Sequence, residues 1–358
     1  MIKIDPVYIQ RVQQAQSPAD LFDLVQKAIE LEHSTIPPYL TAMFSIQPNT
    51  NQAVWDIIHS VVIEEMLHMT IAANLLNALG GQPQINGSGF VPEYPSGLVM
   101  GIGGDLRVGL TAYTPEVVKA TFMGIEEPEN PLVFPMMKAS LLAQGEATEE
   151  YGTIGQFYAA LQQKIDEVIP GGPTTKMPGD PGRQVTSSYF SDQELFPILT
   201  KQAAMNAINI IVEQGEGTST SPVDQGQELA HYYRFEELYR GRQLVKNPSA
   251  PNGYSFSGPA IPFNPAEVYP LFPNTKTSML AAGSEERQRM DEFNGSYYSL
   301  LNGLHVTFNG QPDKLGSTIG VMYDIKLRAQ KLCAMPFPGL TGYTIGPSFE
   351  YVASPAVS

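Results

Sequence analysis

The stretch that decides the fold is Glu64-Glu65-Met66-Leu67-His68, in the middle of a long apolar pattern over residues 52–79. Apolar residues recur there every three or four positions, which predicts a helix that ends at Gly80-Gly81. At about 100° per residue, Glu65 lies on the apolar face of this helix and His68 lies at the edge of the same face. An acid three residues before a histidine can present both side chains to one metal ion.

The preceding helix carries a second inward-facing acid. Residues 17–46 show the same spacing, and Glu32 falls on the apolar face. Glu30 and His33 fall on the polar side, so we expect both to be exposed to solvent. Pro37-Pro38 interrupts the pattern and should kink or break the helix, which would free backbone carbonyls one turn earlier. The short link to the next helix makes the two helices antiparallel neighbours.

Two later helices complete the predicted constellation. A pattern over about 225–241 places Glu228 and His231 beside an apolar stripe, again three residues apart. The helix over about 192–214 offers Glu213 near its end, at a depth similar to that of Glu228, as the fourth carboxylate. Two other acids remain open for that position, Glu216 and Glu150.

Carboxylates and imidazoles on apolar faces need partners. An unpaired buried charge destabilises a fold by several kcal/mol, and these stripes contain no Lys or Arg. Bound metal ions are the simplest explanation. Oxygen and imidazole ligands without sulfur favour Fe, Mn or Zn, and four carboxylates would balance two divalent ions. The predicted ligands are Glu32, Glu65, His68, Glu213, Glu228 and His231.

Composition narrows the class of protein. The chain has 358 residues, of which 42% are hydrophobic and 16% charged, so we expect a folded rather than a disordered protein. A net charge of −15 disfavours nucleic acids and anionic membranes as partners. The one cysteine, Cys333, excludes an internal disulfide and any cysteine-based metal cage. Because the sequence has neither a signal-peptide pattern nor an apolar run of about 18 residues, we expect a cytoplasmic protein.

The chain divides into segments of different character. We expect a helical bundle over 17–241, interrupted by an irregular crossover rich in Gly and Pro over about 81–135. Within the crossover, the acidic run Glu126-Glu127-Pro128-Glu129 is interpreted as a solvated turn. The remaining segments are a Pro-rich extended strap over 242–284, a helical hairpin packed on the bundle over 285–340, and a tail over 341–358.

The constellation resembles that of the ferritin-like di-metal carboxylate proteins, which carry one Glu, Glu-x-x-His, one Glu and Glu-x-x-His on four helices. Several stretches are similar to the ferritin-like domain of the iminophenyl-pyruvate dimer synthases of violacein and indolocarbazole biosynthesis. These stretches are 29–40, 64–68, 74–78, 153–158, 211–217 and 231–235.

The resemblance implies a mainly α fold: a ferritin-like four-helix bundle with a metal pair in its core, a long irregular crossover and a C-terminal helical hairpin. It carries over Glu32, Glu65, His68, Glu213 and His231 as ligands, whereas Glu228 rests mainly on its spacing.

The function that these features favour is a di-iron carboxylate oxidoreductase. It would use O2 or peroxide on a small substrate, and an amino-acid-derived compound is one candidate. The alternatives are a non-catalytic protein of metal binding, storage or stress protection, and a structural protein that binds no metal. The sequence leaves open whether the protein is an enzyme, and it is compatible with a homodimer formed through an apolar face of the C-terminal hairpin.

Overall fold

The fold is mainly α, as predicted. The computed structural model describes residues 4–128, 132, 154–186, 189–217, 221–224, 226–250 and 252–352, without the side chain of Glu216. In chain order the helices are α1 (Pro6–Gln14), α2 (Phe22–Ser45), α3 (Gln52–Leu79), α4 (Pro115–Val117), α5 (Met123–Ile125), α6 (Ile154–Val168), α7 (Lys201–Glu216), α8 (His231–Arg240), α9 (Glu285–Phe308) and α10 (Leu315–Cys333). A π-helical turn, Val118–Phe122, joins α4 to α5. Two short antiparallel strands, β1 (Val245–Lys246) and β2 (Tyr254–Ser255), follow α8.

The pair α2 and α3 forms the centre of the fold, and the two helices pack on each other along most of their length. A capping box of Ser17 and Asp20 starts the turn that leads into α2. Gly80 ends α3 in the left-handed conformation, with φ of 97°, which glycine adopts without steric strain. Both helices have close to the bounds that the apolar periodicity predicts.

The Pro37-Pro38 pair does not break α2, which runs from Phe22 to Ser45 as one helix. The predicted break was therefore wrong. Because Pro38 has no N–H, the carbonyl of Ser34 loses its helical donor. The Tyr94 hydroxyl from the crossover donates to that carbonyl at 2.8 Å, so the freed acceptor is satisfied inside the protein.

Helices α6 and α7 complete the bundle. Helix α7 packs on α3 and on α6, while the Tyr158 hydroxyl of α6 donates to Glu32 of α2. Thr200 caps α7 by accepting from the backbone N–H of Ala203, which is why this helix begins at Lys201 and not near 192. Helix α8 begins at His231, later than the expected start near 225, and packs on α3 and α7.

The C-terminal part covers the other side of the central pair. The described residues between α8 and α9 contain β1, β2 and two short 3₁₀ turns but no α-helix. This segment passes the end of α2, where Gln47 N–H donates to the Glu267 carbonyl. Helices α9 and α10 pack on each other, and they also pack on α3 and α2 respectively. None of the helices in the described ranges combines the length and apolar character needed to cross a bilayer.

A buried asparagine on α3 fixes the loop that precedes α7. Asn74 Nδ2 donates to the Val185 carbonyl at 2.7 Å, and the Val185 N–H donates to Asn74 Oδ1 at 2.8 Å. Asn74→Ala would leave both buried backbone groups unpaired, so we expect a loss of roughly 2–4 kcal/mol in the free energy of unfolding, measured by urea denaturation. Gln52→Ala, at an exposed position of the same helix, is the control. Equal stability of the two variants would contradict this role.

Candidate metal centre

Three buried carboxylates face one small chamber in the bundle. Glu32 comes from α2, Glu65 from α3, and Glu126 from the residue that follows α5. The chamber has a volume of about 40 Å³. Its walls also include apolar residues of α2, α6 and α7, namely Leu31, Ile154, Ile211 and Val212. The carboxylates are therefore shielded from bulk water in a setting that favours bound cations.

Two buried histidines complete the cluster. His68 Nδ1 lies 3.9 Å from an oxygen of Glu32 and 3.9 Å from an oxygen of Glu65. His231 Nδ1 lies 2.8 Å from Glu65 and 3.6 Å from Glu126. The two rings are stacked, with centroids 5.3 Å apart. Glu65 thus lies between a Glu32–His68 pair and a Glu126–His231 pair.

The far side of each imidazole is held by a polar partner. His68 Nε2 lies 2.9 Å from Gln214 Oε1, and His231 Nε2 lies 3.0 Å from Glu64 Oε2. Arg234 donates to the other oxygen of Glu64 at 2.6 Å. Because Gln214 Oε1 and Glu64 are acceptors, each Nε2 would carry the proton, leaving the Nδ1 lone pair directed at the carboxylates. Outer partners of this kind orient metal-binding histidines in proteins.

Each of the three carboxylates is also held in place by a hydrogen bond from a hydroxyl group. Tyr158 donates to Glu32 at 2.5 Å, Thr35 donates to Glu65 at 2.8 Å, and Tyr39 donates to Glu126 at 2.5 Å. Each carboxylate accepts one such bond and keeps further lone pairs for another partner.

Burial dominates the electrostatics of the cluster. It raises the pKa of Glu32, helped by the charge of Glu65, and it raises the pKa of Glu65, helped by the charge of Glu126. Burial lowers the pKa of His68 to about 3. For His231 burial acts in the same downward direction, but the carboxylates of Glu126, Glu64 and Glu65 outweigh it and raise the pKa. A proton on His231 would partly neutralise the cluster, and a metal cation can take its place.

The residues present fit a metal. His231 Nδ1 is buried and makes no hydrogen bond, although it lies 2.8 Å from an oxygen of Glu65. Ligand atoms of Glu65, His68 and His231 lie within 4.8 Å of one another. No Lys or Arg is among the described residues that line the chamber. Carboxylate oxygens and imidazole nitrogens suit Fe, Mn or Zn.

The structure brings together Glu32, Glu65, His68 and His231, and it places the other two predicted ligands elsewhere. Glu228 precedes α8 instead of lying one turn before His231 on the same helix; its side chain is 69% exposed and pairs with Arg234 at 3.3 Å. Glu213 does not line the chamber and instead lines a polar cleft that Glu228 also lines. The side chain of Glu216 and all of Glu150 lie outside the described residues.

Two residues of the cluster, Glu126 and Gln214, were not predicted from the sequence. Glu126 is only 9% exposed, so the interpretation of its acidic run as a solvated turn was wrong for this residue. The buried run of Phe122, Met123 and Ile125 just before it is the signal that could have indicated this. Gln214 follows the buried Ala207 and Ile211 of α7 at helical spacing, which turns Gln214 inward and Glu213 away.

Comparison with known proteins agrees with this architecture. A family model described as Ferritin-like matches residues 25–240. The chain is 25% identical over 322 residues to dichlorochromopyrrolate synthase from Lentzea aerocolonigenes, an alignment that covers 83% of the chain but only 30% of that relative. It is also similar to the crystal structure of a ferritin-like protein from Caulobacter vibrioides, with a TM-score of 0.52, 23% identity, and coverage of 87% of this chain and 93% of the other. The chain belongs to the Ferritin-like family.

Proposed function

We propose that this protein is a di-metal carboxylate oxidoreductase, with iron as the favoured metal. The observation that carries the proposal is the position of Glu65 between two histidine–carboxylate pairs, with the unpartnered Nδ1 of His231 facing it. One ion would be held by Glu32, His68 and Glu65, and the other by Glu126, His231 and Glu65. Iron bound there would supply one-electron chemistry and affinity for O2 or peroxide.

The chain's own residues prepare the site for such chemistry. Tyr39 and Tyr158 stay protonated, because burial and the neighbouring carboxylates raise the pKa of each hydroxyl. They therefore hold Glu126 and Glu32 as donors and do not compete for a cation. Gln214 and Glu64 orient the imidazoles, and the apolar wall excludes bulk water from the chamber.

A small organic molecule is the proposed substrate class, and amino-acid-derived compounds are the first candidates. The support is similarity to a relative named as a dichlorochromopyrrolate synthase. The chain spans only 30% of the length of that relative, so the relative's own reaction is not transferred.

A non-catalytic role in metal binding or protection against oxidants is the second candidate. The size of the chamber favours it: a volume of about 40 Å³ between the described residues has room for water-sized ligands and not for an amino acid. The first candidate predicts substrate-dependent O2 consumption by iron-loaded protein. The second predicts that O2 or peroxide is consumed at the same rate with and without added amino acids.

Elemental analysis tests the metal site itself. We expect purified protein to hold two metal ions per chain and Glu65→Ala/His68→Ala to hold none, since this variant removes the central carboxylate and one imidazole. Gln52→Ala is the folded control and should retain both ions. A double variant with the full metal content would refute the assignment of these ligands.

A further inference from the structure

A second cavity lies on the other side of α2 and α3, beneath the C-terminal hairpin of α9 and α10. Its volume is about 330 Å³. Glu32 and His33 are consecutive on α2, yet the first faces the metal chamber and the second lines this cavity. The cavity is therefore separate from the chamber, and the central helix pair forms the wall between them.

Apolar side chains dominate the lining of this cavity. Helices α2 and α3 contribute Leu40 and Met66, and the hairpin contributes Leu300, Leu304 and Ile319. No Asp, Glu, Lys or Arg is among its described lining residues. Two tyrosines stand at its rim, Tyr189 and Tyr323, and Tyr323 is 70% exposed. An organic molecule could thus enter between aromatic side chains.

One polar pair lies in the apolar wall. His33 is only 3% exposed, and its Nε2 lies 2.7 Å from the Tyr297 hydroxyl. Its Nδ1 is buried without a hydrogen-bond partner. Thr70 and Thr318 also line the cavity, but each donates to a carbonyl of its own helix, Met66 and Lys314 respectively. His59 of α3 is the other histidine in the lining, and its ring stacks on Trp55.

We propose that this cavity binds a neutral, largely apolar small molecule, and that the His33–Tyr297 pair receives its single hydroxyl or amide group. Protein interiors are close-packed, and an empty apolar cavity destabilises a fold in proportion to its volume. A volume of 330 Å³ lies in the range of small-molecule sites. Water would find few partners on these walls, and a carboxylate or ammonium group would be buried without a counter-charge.

The first experiment uses the intact wild-type chain with the neutral fluorophore N-phenyl-1-naphthylamine. We expect saturable binding of one probe per chain with increased fluorescence, and displacement by 1-dodecanol. Dodecanoate should displace the probe at least about tenfold less well, because its charge must leave water. Absence of saturable binding, or equal displacement by the alcohol and the acid, would overturn the proposal.

Matched tryptophan variants locate the probe. Leu304→Trp fills the cavity from α9 and should weaken probe binding at least about tenfold by removing the space. Leu327→Trp adds the same ring on α10 at a position that is 57% exposed and does not line the cavity, so binding should be unchanged. If Leu327→Trp blocks binding and Leu304→Trp does not, the probe binds the outer surface and the proposal fails. Circular dichroism checks folding, and Ile319→Phe is the second filling variant should Leu304→Trp unfold.

Two further variants separate this site from the metal centre and test its polar pair. Glu65→Ala/His68→Ala should bind the probe as the wild type does, whatever its metal content. His33→Phe keeps a ring of similar size but removes both nitrogens. We expect it to retain the probe and to bind 1-dodecanol several-fold more weakly, since the alcohol loses its hydrogen bond. Unchanged affinity for the alcohol would exclude His33 as its partner.

Discussion

Glu126→Gln is expected to remove one metal ion from the protein, with at least about a 100-fold loss of affinity at that position. The glutamine oxygen can still accept a hydrogen bond from the Tyr39 hydroxyl, but the side chain lacks the negative charge that attracts a cation. Glu126 Oε2 lies 3.6 Å from His231 Nδ1, so the two atoms are close enough to bind the same ion. Titration of metal-free protein with Mn(II), followed by electron paramagnetic resonance and calorimetry, measures both the number of ions and their affinity.

Glu213→Gln and Glu228→Gln are the matched controls for this experiment. Both replace an acid that the sequence analysis selected as a ligand but the structure places away from the chamber. We expect both variants to bind Mn(II) with the stoichiometry and affinity of the wild type. Loss of an ion in Glu213→Gln together with full binding in Glu126→Gln would show that α7, and not the residue after α5, supplies the missing carboxylate.

The candidate ligands that periodicity predicted at the chamber lie on long helices. Glu32, Glu65 and His68 lie within helices of 24 and 28 residues, where spacing indicates which side chains share a face. His231 was predicted as part of a Glu-x-x-His pair, although α8 begins at His231 itself and Glu228 lies outside it. The sequence therefore selected His231 as a candidate by its residue type and neighbours, while the helix predicted around it was too long.

Periodicity could not predict the burial of residues whose neighbours come from distant parts of the chain. Glu126 follows a short segment with a π-helical turn, so no long periodic pattern indicates where its side chain points. His33 was expected on a solvated face because Glu30 is next to it in helical position. The face is instead covered by α9, whose Tyr297 contacts His33. Spacing separated the face of His33 from that of Glu32, but it could not show that α9 covers the face on which His33 lies.

Metal removal is expected to lower the melting temperature by on the order of 10 °C. An ion present at about 1,000 times its dissociation constant stabilises the folded chain by about 4 kcal/mol, and two ions would act together. The measurement is calorimetry of Mn(II)-loaded protein before and after chelation. Glu65→Ala/His68→Ala is the control, because its melting temperature should not respond to the chelator.

The effect of pH on this difference follows from the pKa shifts in the metal-free cluster. Glu32, Glu65 and His231 have raised pKa values in the folded chain, so the folded chain binds their protons more tightly than the unfolded chain does. Stability from these groups is present at low pH and is lost as pH rises through the raised values. His68 has a pKa of about 3 in the folded chain and about 6.5 in the unfolded chain. Because it is largely neutral in both states above about pH 7, it contributes little to the pH dependence of stability there.

Metal-loaded protein should show the opposite trend, because an ion binds only deprotonated ligands and its contribution grows as protons leave. We therefore expect the gap in melting temperature between loaded and chelated protein to widen from about pH 7 to about pH 8.5. A gap that narrows over this interval would mean that the ion does not replace protons on these residues. The same result would place the bound metal at another site, since only a cation held by Glu32, Glu65 and His231 competes with the protons that stabilise the metal-free bundle.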